Sequence, residues 1–180
     1  LQILFVKFFA DIFPAMAFTF ETIDGKRVAH RAKRTTLFDR EIKMFTFGRG
    51  FVASSLLFVI YLILSRTNLD QATVRTFIFA SFATYILFLA FSMRRLDQSL
   101  WQYKMFSNTY LTLGVAIGFG TTMLAIYSPW LSRILGTTAL PLPWLLGVFA
   151  IGFVNLFIME GLKFLMKHGK HLRLTKTPSF

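Results

Sequence analysis

The sequence predicts an all-α integral membrane bundle of five transmembrane helices, the first of them broken at a proline. Three observations carry this. Apolar residues fall in five blocks, each near the ~20 residues needed to cross ~30 Å of hydrocarbon. Hydrophobic residues make up 55% of the 180, with 23 Phe and a mean hydropathy of +0.59, above the roughly 45–50% of soluble domains. Trp101, Trp130, Trp144 and Tyr127 stand at block ends, as the aromatic belts of a bilayer interface require.

The first block, Leu1–Phe20, holds Lys7, Asp11 and Pro14. Pro14 has no N–H, so the carbonyl of Ala10 loses its helical partner and the turn is pushed open. The second, Met44–Leu64, carries Arg49 near its start, where a long side chain can snorkel to the interface. The third, Thr76–Met93, contains no charge. In the fourth, Met105–Tyr127, Gly114 and Gly118 form a G-x-x-x-G that permits close helix approach, read as packing within the bundle. The fifth, Trp144–Met166, ends with Glu160 and Lys163, three apart and expected to pair at the interface. A basic tail, 167–180, follows. No repeat or low-complexity tract divides the chain, which reads as one domain over 1–180.

Charge orients the bundle. Of the 20 Lys and Arg, only Arg66, Arg75 and Arg133 flank the blocks on one side, and Lys7 lies within a block. The rest crowd the loops after the first and third blocks and the tail. The positive-inside rule makes those loops and the C-terminus cytoplasmic, against anionic lipid headgroups. The first block then runs inward from the outer face, so an odd number of crossings is expected upstream of Leu1. The localisation expected is a bacterial plasma membrane or another cell membrane.

Asp11 is the candidate site. In hydrocarbon a freed carbonyl is tolerated only where it is buried in protein or lines a polar cavity. A carboxylate beside an opened turn is how transporters build a cation site near the midplane. The expected ligands of a transported cation or proton are therefore the Asp11 carboxylate and the Ala10 carbonyl, with Pro14 supplying the break. Lys7, four residues before Asp11, lies on the same face as its charge partner.

Several stretches, taken in order, resemble one family. "DIFPAMAFTFE" is similar to the sixth membrane helix of P-type cation-transporting ATPases, which reads close to N-x-x-x-D-x-x-P-A-x-A-x-x-x-E; Asp11, Pro14, Ala15, Ala17 and Glu21 match. "RTFIFASFATYILFLAFSMR" resembles the eighth helix through Arg75, Thr76, Phe88, Ala90, Phe91 and Arg94. "KMFSNTYL", around Asn108, resembles the start of the ninth. "YSPWLSRILGTTAL" resembles the loop after it, with Leu135 where Phe is common, and "EGLKFL" the end of the tenth. The resemblance implies the C-terminal membrane portion of a cation translocase, calcium-, sodium- or proton-pump-like. ATP and Mg would act in other parts of the protein, and Asp11 would be a cation ligand. Lys7 stands where calcium and sodium pumps have a liganding Asn, Ala10 where they often have Thr or Asp, and Ile86 where calcium pumps often carry Gln. These departures imply fewer ions, a proton, or a built-in positive charge.

The remaining chemistry is sparse. No D-K-T-G-T and no phosphate-cradling G-x-x-x-x-G-K-[ST] loop occurs, so these residues do not hydrolyse ATP by themselves. Without cysteine there is no disulfide framework and no thiolate metal site. "DREIKM" (Asp39 to Met44) reads as an interfacial helix start. His30, His168 and His171 lie in basic stretches without a carboxylate beside them. The hydropathy excludes a nucleic-acid-binding protein. The competing class is a stand-alone five-helix scaffold, accessory subunit or passive channel.

Overall fold

The structure is a computed structural model that describes residues 1–20, 40–94 and 105–174, with residues 40–42, 44, 45, 105 and 165–174 in backbone only. Glu21, His30, most of the basic residues of the loop after the first block, and Arg95, Trp101 and Lys104 lie outside the described residues. Among those described, everything regular is helical. Five helices are long and apolar enough to cross a membrane. They are α1 (Gln2–Phe20), α2 (Arg40–Ser65), α3 (Gln71–Met93), α4 (Thr109–Tyr127) and α6 (Leu142–Leu174), with a short α5 (Pro129–Leu135) between the last two.

Helix ends follow local chemistry more closely than hydropathy does. α3 starts at Gln71, five residues before the apolar block, because the Asp70 carboxylate accepts from Ala72 N–H at 3.2 Å and caps the first turn. α4 starts at Thr109 because Asn108 Oδ1 accepts from Leu111 N–H at 3.0 Å. Asn108 is buried, so water cannot replace the cap. Asn108→Ala is expected to cost about 1 kcal/mol of stability, read as a lower unfolding temperature of the intact protein. α5 begins on Pro129, whose missing N–H is one that the first turn leaves unpaired anyway. It stops at Gly136, in the left-handed region at φ 63°, which glycine adopts without a Cβ penalty.

α3 is the centre of the bundle. Of its span 67% is buried, against 11% for α2, so α3 is core and α2 is peripheral. Small residues make this possible: Ala80, Ala83 and Ser81 are fully buried, which lets neighbours approach closely where no hydrophobic effect drives helices together. α6 packs on α3 most extensively, and α4, α1 and α2 pack on α3's other sides. Gly152 of α6 approaches Thr84 and Phe88 so closely that a Cβ would sit 2.7 Å from Thr84 Cγ2. α2 packs on the core through Ile60 and Leu64 and buries Ala53 and Leu57, while Phe47, Phe51 and Phe58 point outward.

The loop from α5 to α6 is stitched to the helices around it. Thr137 Oγ1 donates to the Ala125 carbonyl at 2.6 Å and Tyr127 Oη to the Leu140 carbonyl at 2.7 Å. Thr138 N–H donates to Thr76 Oγ1 at 2.9 Å, and Gln2 Nε2 donates to the Leu135 carbonyl at 3.0 Å. The starts of α1 and α3 are thereby fixed to one polar plug at that end of the bundle.

Candidate functional site

α1 is a single rod whose helical pitch changes three times. Gln2–Phe5 is α-helical, Val6–Asp11 is π-helical, Ile12–Ala17 returns to α and Phe18–Phe20 tightens to 3₁₀. The π segment ends three residues before Pro14. The break expected at Pro14 therefore takes the form of a widened turn rather than an unwound one. A π turn shifts pairing from i+4 to i+5, one of the adjustments by which a membrane helix tolerates the donor a proline lacks.

The faces of α1 divide cleanly. Val6, Ala10, Pro14 and Ala17 are buried against α3 and α4. Gly114 of α4 sits directly on the break, where a Cβ would lie 2.9 Å from the Phe13 carbonyl oxygen and 3.3 Å from Pro14 N. Gly118, one turn on, meets Leu87 of α3. Both glycines of the G-x-x-x-G thus serve contacts within the bundle.

Lys7 and Asp11 lie on a flank of α1, next to the packed residues Val6 and Ala10. Lys7 Nζ lies 2.9 Å from Asp11 Oδ2, and the two side chains are 58% and 45% exposed. The ammonium engages one carboxylate oxygen; the other accepts no hydrogen bond among the described residues. Lys7 and Asp11 are brought together as their spacing predicts, Pro14 lies one turn along, and Ala10 packs its side chain into the bundle. Ile86 of α3 is half-buried against the core. Among the described residues no group of three or more His, Asp or Glu is arranged to hold a metal.

A second polar cluster links α3 to α6 at the opposite end from the plug. Glu160 and Lys163 pair at 2.8 Å as expected, and the pair is packed within the bundle: their side chains are 11% and 5% exposed. Lys163 Nζ also donates to the Ser92 carbonyl at 2.6 Å, and Ser92 Oγ donates to Glu160 Oε1 at 2.7 Å. Ser92 was not legible as a partner, because nothing in α3's apolar run distinguishes one small polar residue from another.

A protein-family model described as "Cation transporting ATPase, C-terminus" matches residues 1–165. A comparison with curated proteins finds no match. The match begins before the Lys7–Asp11 pair, runs through every span and ends just beyond the Glu160–Lys163 pair, and by it the chain belongs to the C-terminal membrane region of the cation-transporting ATPases.

Proposed function

We propose that the intact protein carrying this chain is an ATP-driven cation pump and that α1 supplies part of its intramembrane cation site. One observation carries the reading: Asp11 lies at the end of a π segment, with one carboxylate oxygen on Lys7 and the other accepting no hydrogen bond among the described residues, on a partly exposed flank of α1. π segments recur at functional sites, and an ionisable side chain inside a span is costly unless it is used. The Asp11 carboxylate is the cation or proton ligand, Pro14 sets the irregular turn and the Ala10 carbonyl is the backbone ligand. Lys7 is a tethered cation that takes the place of one transported charge, so the site carries fewer ions than a two-calcium site. ATP and Mg act in other parts of the protein. The basic loops and C-terminus are cytoplasmic, facing anionic lipid.

Asp11→Asn is expected to abolish ion-dependent phosphorylation of the intact protein by ATP while leaving the protein folded. Unchanged ion dependence would remove Asp11 from the site. Absence of ATP phosphorylation in the wild-type protein would instead favour a channel or scaffold.

A further inference from the structure

Arg49 does more than reach for the interface. Its Nη1 donates to Met93 Sδ at 3.0 Å, and its Nε is closed off from solvent with no partner among the described residues. A thioether is a weak acceptor, and the enclosed Nε–H of a guanidinium inside the second span is left without a partner among the described residues, where that is expensive. Arg49 lines a cavity of about 10 Å³ between α2, α3 and α6, together with Tyr85 and Asn155 and apolar walls from Val52, Ala53 and Met159. Tyr85 and Asn155 are both buried. Asn155 Nδ2 donates to the Ile151 carbonyl at 3.0 Å, which leaves its Oδ1 to accept from the cavity.

We propose that this cavity is a binding site for one water molecule that joins the three helices. The water accepts from Arg49 Nε–H and donates its two protons to Asn155 Oδ1 and the Tyr85 oxygen. Three hydrogen bonds are the usual complement of a buried water, and the volume is about that of one such molecule; a phosphate group is too large. The site is independent of the cation site on α1. It gives α2, which packs on the core through Ile60 and Leu64, a polar tie to both α3 and α6.

Two measurements on the intact protein in lipid nanodiscs test this. A structure at a resolution that shows ordered waters is expected to place one density within hydrogen-bonding distance of Arg49 Nε, Tyr85 Oη and Asn155 Oδ1. A dry cavity, an anion revealed by bromide exchange, or Arg49 paired to a carboxylate would overturn it. In thermal unfolding, Arg49→Met and Asn155→Leu are each expected to lower the midpoint by about 2–4 °C. The double variant is expected to lose less than their sum, because removing both ends strands neither. Strictly additive losses would count against a shared ligand.

Discussion

Lys163→Met is expected to destabilise the intact protein by about 3 kcal/mol or more, the range seen when one partner of a buried ion pair is removed. The substitution leaves the Glu160 carboxylate in a site where its side chain is 11% exposed. It also takes the donor from the Ser92 carbonyl, one of the last in α3, where a cation suits both the unpaired carbonyl and the negative end of the helix dipole. Because α3 is the most buried of the five spans and α6 its most extensive partner, the loss falls on global unfolding rather than on a fraying end. Glu160→Gln combined with Lys163→Met is expected to recover part of it, since the buried carboxylate charge is removed together with the ammonium. Thermal unfolding of the wild type and the variants in one detergent or nanodisc provides the measurement. A Lys163→Met protein as stable as the wild type would mean that the pair is solvated.

The spans were legible because a bilayer imposes length and apolarity on every crossing, and the ~20-residue blocks record both. Their ends were less so: hydropathy does not register Asp70, which starts α3 at Gln71, or Asn108, which delays α4 to Thr109. The Lys7–Asp11 pair could be read from i, i+4 spacing, and the Glu160–Lys163 pair from i, i+3. Burial could not. Which face of α1 packs depends on the small Gly114 of another helix, and the Ser92 contact on a residue 68 positions from Glu160. Arg49 shows the same limit. Its position at the start of an apolar block suggests snorkelling, yet its Nε is enclosed by groups from α3 and α6 that no local pattern connects to it.

Gly114→Ala is expected to cost about 1–3 kcal/mol, the range for overpacking a filled core, and to weaken ion-dependent phosphorylation as well. The added methyl would meet backbone, the Phe13 carbonyl oxygen at 2.9 Å and Pro14 N at 3.3 Å, and backbone yields only if α1 or α4 moves. The displaced stretch is the one that carries Asp11, so stability and ion response should fall together. Gly118→Ala is a milder insult, because its clash is with Leu87 Cδ2, the far end of a side chain that can change rotamer. Gly120 has open space around its Cα, so Gly120→Ala should be neutral or stabilise by up to about 1 kcal/mol through helix propensity. The expected order of unfolding temperature is therefore Gly120→Ala above Gly118→Ala above Gly114→Ala. A Gly114→Ala protein that keeps its unfolding temperature but loses ion response would separate the two effects, showing that α1 can shift at little cost and that the position of Asp11 is what the glycine controls.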